Sequence, residues 1–432
     1  MSKVCKIAIV VTATVVAGLG FTHAGAKEAL AWKIDHRELK LFRQTMQQIQ
    51  EDYAGDVKDK ELIQGAIDGM LRSLDPHSSY LTQDLLRELQ YQTEPEFGGL
   101  GIEIVLEDGI LTVVTVIEAS PAAKAGLTSG DKIIGIGGES ARNMTLMQAV
   151  KKMRGARGTK VTITVAREGK QPQDYTVTRD VIHVQSIKTQ ILEKGYPYIK
   201  LVSFRKNTVE DLAEAVRKAA SRAQVKGLVL DLRNNPGGLL DEAWKVANLF
   251  VESGLIVYTD GRSKDQRMEF RATSGDHFRF KVAVLINGGS ASASEIVAGC
   301  LQDHQRALLF GTQSFGKASV QTIIPLENGG ALRLTTAYYY TPSGRHIQKK
   351  GIQPDVDMKS RLETRTDSEA ADLVQEKPPK TKQRQSWRTV RVDPAKDLTL
   401  SEALRWLKSD QSVQEFRNEQ ERKAAHDAAR TL

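Results

Sequence analysis

The stretch G-G-S-A-S-A-S-E-I at residues 288–296 decides the fold class of this chain. It follows an apolar run at 282–286, which is typical of a buried strand, and it leads into a helical pattern at 296–302. A turn of small residues between a strand and a helix suits an exposed serine nucleophile, because backbone N–H groups at a helix N-terminus favour developing negative charge. The stretch therefore predicts an α/β domain with a candidate nucleophile in this turn.

A second stretch, S-F-G-K-A-S-V-Q at residues 314–321, supplies a lysine that could act as the base for such a serine. Each residue also has an ordinary structural explanation. Ser292 followed by Glu295 fits the S-x-x-E capping box and could simply cap a helix. Lys317 alone is typical of a solvated surface lysine, and Gln321 alone indicates nothing.

Taken together, S-A-S-A-S-E-I, then S-F-G-K, then glutamine four residues after the lysine, resemble the carboxy-terminal processing proteases. These are tail-specific serine endopeptidases that contain a PDZ domain. The resemblance extends from about residue 34 to about residue 357 and implies a crotonase-like α/β protease core. It implies that Ser292 is the nucleophile, that Lys317 is the general base, and that Gln321 positions the lysine.

This chemistry makes two demands on the structure. For Lys317 to act as a base near neutral pH, its pKa must lie well below the usual lysine value, which burial in an apolar pocket can bring about. Lys317 and Gln321 would be neighbours in a helical turn but ~13 Å apart in an extended strand. We therefore expect the chain to bend or coil after Gly316.

The same resemblance assigns the glycine-rich turn D-L-R-N-N-P-G-G at 231–238 to an oxyanion hole. Its donors would be the backbone N–H of Gly238, or of Gly237 if the register shifts, and that of Ala293. Two such donors are each worth about 3 kcal/mol of transition-state stabilisation. The turn lacks the lysine of a phosphate-binding P-loop, although its glycines could also serve a turn alone.

Residues 97–180 resemble a PDZ domain. The run Gly99-Leu100-Gly101-Ile102 matches the loop that holds a substrate's C-terminal carboxylate, beside a sheet edge to which an extended peptide adds a strand. A hairpin signal at 108–109 and a groove-lining helix at 146–153 follow in the expected order. Arg154, at the end of that helix, suggests a link to the protease core, with a solvated arginine as the alternative.

The N-terminus predicts export. Lys3 and Lys6 flank an uncharged run at 7–21, which is followed by an A-x-A cleavage site at 24–26. An uncleaved membrane anchor is the alternative, but the run is short for a span. We expect a signal peptide at 1–26 and a location in the periplasm or cell envelope of a bacterium.

The remaining composition argues against other classes of protein. The chain has 432 residues and a formal net charge of +8, without a concentrated basic stripe, so no nucleic-acid partner is expected. The sequence lacks G-x-S-x-G, H-E-x-x-H and CxxC, which disfavours a Ser-His-Asp hydrolase and a metal hydrolase. No metal or cofactor is implied. Of the two cysteines, Cys5 lies in the signal and Cys300 is expected to be a core residue.

We predict a multidomain α/β protein in which a β-rich PDZ domain is inserted beside the protease core. The expected segments are the signal at 1–26, a helical region at 34–95, the PDZ domain at 96–182, the core at 186–357 and a linker with a helical tail at 358–432. Apolar helical stripes in the second segment favour docking on the next domain or a homo-oligomer. The tail could pack on the core, contact another copy or receive a partner.

The expected function is endoproteolysis of exported proteins that are selected by apolar C-terminal tails. The competing hypothesis is an exported PDZ scaffold that binds such tails and cuts slowly or not at all. The presence of Ser292, Lys317 and Gln321 together argues against the scaffold. An activating or adaptor protein and a peripheral contact with the membrane both remain open from the sequence.

Overall fold

A computed structural model describes residues 36–359, apart from 94–95, 108, 118, 168 and 184, together with 392–419 and 422. The chain divides into two compact units. In the described residues, the first unit comprises 36–89, 259–268 and 319–339, and the second comprises the remainder. The predicted signal peptide and most of the predicted linker lie outside the described residues.

The helices are α1 (His36–Asp52), α2 (Asp59–Arg72), α3 (Gln83–Thr93), α4 (Pro121–Ala125), α5 (Leu146–Met153), α6 (Thr208–Ala220), α7 (Leu240–Asn248), α8 (Ala293–Asp303) and α9 (Leu398–Lys408), with a 3-10 turn at Lys264–Gln266. The strands are β1 (Ser79–Leu81), β2 (Glu96–Gly99), β3 (Ile102–Glu107), β4 (Ile110–Val116), β5 (Lys132–Ile136), β6 (Glu139–Ser140), β7 (Lys160–Ala166), β8 (Gln173–Thr178), β9 (Asp180–His183), β10 (Ile187–Glu193), β11 (Tyr196–Leu201), β12 (Gly227–Asp231), β13 (Leu255–Gly261), β14 (Met268–Arg271), β15 (Lys281–Ile286), β16 (Ala307–Gly311), β17 (Ser319–Pro325), β18 (Ala331–Tyr340) and β19 (Val356–Asp357).

The first unit combines the N-terminal helices with a β-hairpin. β17 and β18 pair antiparallel across a turn at 326–330, and β1 pairs antiparallel with β18. The glycines of the sequence E-N-G-G at 327–330 suit such a turn, and the Gly329 N–H donates to the Leu326 carbonyl at 3.0 Å. Among the described residues, no helix is long and apolar enough to cross a membrane.

The small β domain of the second unit has the strand order β3-β4-β5-β7-β8, with β6 paired to β5. Alternating apolar residues of these strands form one core with α4 and α5, which includes Leu111, Ile133, Ile163 and Ala149. The predicted groove helix has the predicted bounds, because Thr145 and Gln148 form a capping box at its start. β3 lies at the edge of this sheet, with β4 as its partner.

The chain enters and leaves the small domain through two adjacent strands. β2 pairs antiparallel with β9, from Glu96 opposite His183 to Gly99 opposite Asp180. A side chain at Gly98 would meet the Gly155 carbonyl, since its Cβ would lie 2.1 Å from that oxygen. This two-stranded connection accounts for a domain inserted into a longer chain.

The larger domain of the second unit is built on a sheet of order β10-β11-β12-β15-β16-β19. β10 and β11 are antiparallel, and each following pair is parallel. β12, β15 and β16 are continuous apolar runs, as expected for strands that are buried on both faces. Cys300 on α8 is buried, as predicted, and burial raises the pKa of its thiol.

The C-terminal tail packs on this sheet. Leu400, Ala403 and Leu407 of α9 belong to one buried cluster with Val229 and Phe310 of the strands. The predicted helical tail contains α9, which ends at Lys408. A new helical segment follows, where the Ser412 N–H donates to Glu415 and the Ser412 hydroxyl accepts from the Glu415 N–H. The predicted α/β multidomain fold is confirmed.

Candidate active site

Two turns at the carboxyl edge of the central sheet form the candidate site. β12 and β15 are neighbouring parallel strands with Asp231 opposite Leu285, so the turns that follow them leave the sheet side by side. The first turn is the glycine-rich 232–238, and the second is 287–292, which leads into α8. The carboxyl edge of parallel strands is the usual place for a site in an open α/β sheet.

Hydrogen bonds connect the two turns directly. The Asn235 carbonyl accepts from the Ala291 N–H at 3.0 Å and from the Ser294 hydroxyl at 2.9 Å. The Asn287 side chain accepts from the Asn234 N–H at 2.9 Å and donates to the Asn234 side chain at 3.0 Å. These hydrogen bonds therefore hold the two turns in one relative position.

Ser292 occupies the N-cap position of α8 in an unusual backbone conformation. Its φ is 57° and its ψ is −115°, a region that residues other than glycine rarely adopt and that costs of order 1–3 kcal/mol. Every residue in 290–301 is described, and Ser292 is the one that is not buried. The strained turn thus exposes this residue at the start of a buried helix.

The glycine pair Gly237-Gly238 lies against this turn. A Cβ at Gly237 would lie 2.8 Å from the Ser292 Cβ and 3.0 Å from the Ala293 nitrogen. Their φ values of 104° and 147° also favour glycine. The Gly237 N–H donates to the Asn235 side chain at 2.9 Å, whereas the exposed Gly238 N–H donates to no residue that the structure describes.

Glu295 connects the Ser292 turn to the stretch that contains Lys317. One carboxylate oxygen, Oε2, accepts from the Ser292 N–H at 2.8 Å and from the Lys317 N–H at 2.9 Å. The other, Oε1, accepts from the Ser314 hydroxyl at 2.5 Å and from the Gly316 N–H at 2.7 Å. Burial raises the pKa of Glu295, although these hydrogen bonds favour its charged form. The sequence motif indicated only a helix cap here and missed the connection to residue 317.

Lys317 is half-buried, in a segment that is neither helix nor strand, and β17 begins two residues later. Gln321 lies in the first unit, in β17, next to a β-bulge between Val320 and Gln321. Its amide nitrogen donates to the Ser319 hydroxyl at 2.7 Å. The segment from Gly316 to Ala318 is neither helix nor strand, and the expected bend that would bring Gln321 to Lys317 stays a prediction.

A buried charged cluster lies at the base of the glycine-rich turn. The Arg233 guanidinium donates from Nη2 to Asp231 at 2.7 Å and to Asp397, the first residue before α9, at 2.8 Å. The Tyr198 hydroxyl donates to Asp231 at 2.6 Å, and burial, followed by the charge of Asp231, raises the pKa of Tyr198. Burial raises the pKa of Asp397, but Arg233 and the backbone N–H groups of Leu400 and Thr399 together hold that pKa below its usual range. The sequence gave no signal for the contact with residue 397.

The predicted tail-binding loop precedes the open edge of the small domain. Leu100 is buried and Gly101 has a φ of 78°; the Gly101 carbonyl accepts from the Ile117 N–H at 2.8 Å. Arg154 follows α5, and its charge lowers the pKa of Arg205 on the larger domain, after the larger effect of burial. Arg154 therefore lies close enough to the larger domain to act on it electrostatically.

Comparison with known proteins adds family information. The protein-family model described as peptidase family S41 matches residues 195–358, and the family model of the PDZ domain matches residues 88–166. A third model, described as the N-terminal domain of the activating protease CtpB, matches residues 20–85.

Several curated proteins are similar over most of this chain. A carboxy-terminal-processing protease of Bartonella bacilliformis is 45% identical over 388 residues, which covers 87% of this chain and 89% of that protein. The carboxy-terminal processing protease CtpA of Bacillus subtilis is 33% identical over 352 residues, covering 81% of this chain and 75% of that protein. A probable CtpA-like serine protease of Staphylococcus saprophyticus is 36% identical over 321 residues, covering 74% of this chain and 65% of that protein. Among solved structures, a photosystem II D1 C-terminal processing protease is 28% identical with a TM-score of 0.45, covering 73% of this chain and 86% of that one.

Proposed function

Because this chain belongs to peptidase family S41, among the carboxy-terminal processing proteases, it is a serine-type peptidase with a PDZ domain, and we propose that it cuts exported proteins selected by apolar C-terminal tails. We assign Ser292 as the nucleophile and Lys317 as its general base. The observation that carries this assignment is the Glu295 carboxylate, which holds the backbone of both residues on one oxygen atom.

In the proposed reaction, the neutral Lys317 amine accepts the hydroxyl proton of Ser292 while the serine oxygen attacks the scissile carbonyl carbon. The oxyanion forms beside the N–H groups of Gly238 and Ala293. The lysine ammonium then gives its proton to the leaving amine. Water hydrolyses the resulting ester by the same proton transfers in reverse and restores the serine.

The geometry of the two turns supports this choice of oxyanion donors. Gly237 was the alternative to Gly238, but the N–H of Gly237 already donates to the side chain of Asn235. Ala293 is the first residue of α8, and N–H groups in a first helical turn have no partner within their own helix. We propose Gly238 and Ala293 as the pair, and we assign Gln321 to orienting the lysine amine.

Tail selection is proposed for the edge of the PDZ domain. A substrate tail would add a strand to β3, with its terminal carboxylate at the backbone N–H groups of 99–102 and its apolar side chains toward α5. Leu146, at the start of α5, exposes 40% of its surface and supports an apolar specificity. The competing scaffold function would use this edge alone.

Three further properties belong to the proposal. Export to the periplasm or cell envelope rests on the N-terminal sequence. A homo-oligomer is supported by apolar side chains exposed on α1, among them Leu41 and Phe42. Light scattering of the purified chain tests the oligomer, and a change of Phe42 to glutamate should then lower the mass to that of one chain. An activator or adaptor protein would show as activity that appears only when envelope extract is added.

The deciding experiment measures cleavage of an unfolded reporter with an apolar C-terminal tail, using the chain without residues 1–26. We expect cleavage by the wild type, and at least about a 10⁴-fold loss in Ser292→Ala and in Lys317→Ala. Tail binding, measured by fluorescence anisotropy, should remain in all three. Cleavage that survives in Ser292→Ala refutes the assignment of Ser292 as the nucleophile. Tail binding without cleavage in any sample, with or without envelope extract, favours the scaffold.

A further inference from the structure

The charged cluster at Arg233 joins the C-terminal tail to the candidate oxyanion turn. Arg233 is the second residue after β12, and its backbone N–H donates to Asp231 Oδ1 at 2.8 Å. Its guanidinium is shared between Asp231 and Asp397, with Nη1 donating to Asp397 Oδ1 at 3.1 Å. Asp231 is fully buried, and the Arg233 and Asp397 side chains are 19% and 25% exposed.

Asp397 serves two elements at once. It is the N-cap of α9, where its Oδ1 also accepts from the Leu400 N–H at 3.0 Å. The helix that it caps is fixed to the sheet by buried apolar side chains, including Leu400 and Leu407. The carboxylate that receives Arg233 therefore has a fixed position, and a planar guanidinium bound through two of its nitrogens has little freedom to rotate.

The residues that follow Arg233 in the chain connect it to the proposed reacting groups. Asn234 is hydrogen-bonded to Asn287, and Asn235 is hydrogen-bonded to the turn of Ser292. Gly237 and Gly238 follow within the same turn. A displacement of Arg233 would therefore move the Gly238 N–H relative to Ser292.

We propose that Asp397 is a positioning residue for catalysis: by holding Arg233 against Asp231, it fixes the turn that carries the Gly238 N–H. The C-terminal helix is then a structural part of the active site, although it lies outside the segment that matches the peptidase family, residues 195–358. This inference rests on the proposed function, because Gly238 matters only if it is an oxyanion donor.

The test uses Asp397→Asn, which keeps the helix cap, since asparagine caps as well as aspartate, and removes the charge that faces Arg233. The matched control is Lys408→Ala, which breaks another ion pair between α9 and the sheet. That pair, Lys408 with Glu193, is 43% and 47% exposed, and exposed pairs contribute little to stability. Asp397→Glu is a second variant, which restores the charge.

We expect kcat of Asp397→Asn on the tailed reporter to fall about 10-fold, a part of the 10²- to 10³-fold lost when one oxyanion donor is removed. KM and tail affinity should not change, Asp397→Glu should recover part of the loss, and Lys408→Ala should match the wild type. Labelling of Ser292 by an aryl fluorophosphonate, whose phosphoryl oxygen needs the same donors, should slow in parallel with kcat.

Hydrogen exchange of the peptide that spans 232–239 provides a readout that does not depend on activity. It should accelerate in Asp397→Asn and not in Lys408→Ala. Unchanged exchange and kcat in Asp397→Asn would overturn the inference, as would an equal loss in both variants. If the wild type neither cuts nor reacts with the fluorophosphonate, the proposed function fails, and the exchange result still reports on whether Asp397 fixes the turn.

Discussion

The turn of Ser292 and the edge strand β3 differ in how far their polar groups are already engaged in hydrogen bonds. Around Ser292, the neighbouring residues are buried, and the Asn235 carbonyl and the Glu295 carboxylate fix the turn by hydrogen bonds. At β3, one side of the strand is paired with β4 and the other forms the edge of the sheet. Chemistry needs donors that are already in place, whereas recognition of a peptide as an added strand needs backbone groups that are still unpaired.

The difference predicts that substitutions at the two places will change different kinetic constants. A distortion at the turn should lower kcat and leave tail affinity intact. A distortion at the edge should raise KM for tailed substrates and leave the turnover of untailed peptides intact.

The largest effect is expected for Gly237→Ala. The new Cβ would lie 2.8 Å from the Ala291 carbonyl and 2.8 Å from the Ser292 Cβ, so the turn must shift. We expect kcat to fall by about 100-fold or more, because the proposed oxyanion donor, the Gly238 N–H, moves with the turn. Steady-state kinetics and anisotropy measure kcat and tail affinity separately.

Gly288→Ala is the control for that change. Gly288 lies in the neighbouring turn, is exposed, and has its nearest neighbour 4.0 Å from the position of the added Cβ. Its kcat should stay within about twofold of the wild type, since surface substitutions rarely change stability by more than about 0.5 kcal/mol. A similar loss in both glycine variants would contradict the steric explanation.

A smaller effect, on KM alone, is expected for Gly101→Ala at the PDZ loop. Gly101 and Gly109 have almost the same φ, 78° and 76°, but a Cβ at Gly101 would lie 2.4 Å from the Ser120 Cβ, and one at Gly109 would meet nothing within 4 Å. We expect Gly101→Ala to weaken tail binding about 10-fold and Gly109→Ala to leave it unchanged. If both variants bind the tail equally weakly, backbone strain rather than the loop's close packing determines the affinity for the tail.

The smallest effect is expected for Asp131→Asn, immediately before β5 of the PDZ domain. Asp131 accepts from Arg167 Nε at 2.6 Å and from the Thr128 N–H at 2.8 Å. Burial raises the pKa of Asp131, but these hydrogen bonds and the charge of Arg167 hold it below its usual range. Its stabilising contribution is therefore complete above about pH 4 and is lost as the pH falls through the folded pKa.

At pH 7, the substitution should lower the local free energy of unfolding of the PDZ domain by about 2 kcal/mol, and the difference from the wild type should shrink in acid. Hydrogen exchange of β5 and β7 measures it. Turnover of an untailed peptide should be unchanged at pH 7. A constant difference at every pH would show that the charge of Asp131 is not responsible.

The parts of the fold that the sequence predicted are those decided by local chemistry. Thr145 and Gln148 mark the start of α5, and the apolar run at 282–286 is a buried strand in the structure. The tail was harder, because the end of α9 at Lys408 and the Ser412–Glu415 cap that begins the next helical segment are weak local signals.

The site shows the same limit. The small-residue turn indicated Ser292 as the candidate nucleophile, but the contacts that organise this turn join residues that are far apart in the chain. Arg233 and Asp397 are separated by 164 positions, and no motif around either residue predicts the contact between them. From the sequence, Glu295 was predicted only as part of a helix cap. The S-x-x-E motif does not show how many other N–H and O–H groups donate to its carboxylate.

The open edge of β3 also carries a risk of aggregation, since unpaired strands invite pairing between copies. Opposite Glu103 and Ile104 of β3, the partner strand β4 has one extra residue, Val114, and this β-bulge bends the pair of strands. The carboxylates of Glu103 and Glu107 add negative charge to the edge. If two copies met at their β3 edges, the bent strands would fit each other poorly and their negative charges would repel. A short flexible tail can follow the bend and needs to bring no charge of its own except the terminal carboxylate. We expect this irregular, negatively charged edge to disfavour pairing between copies while it still accepts a peptide strand.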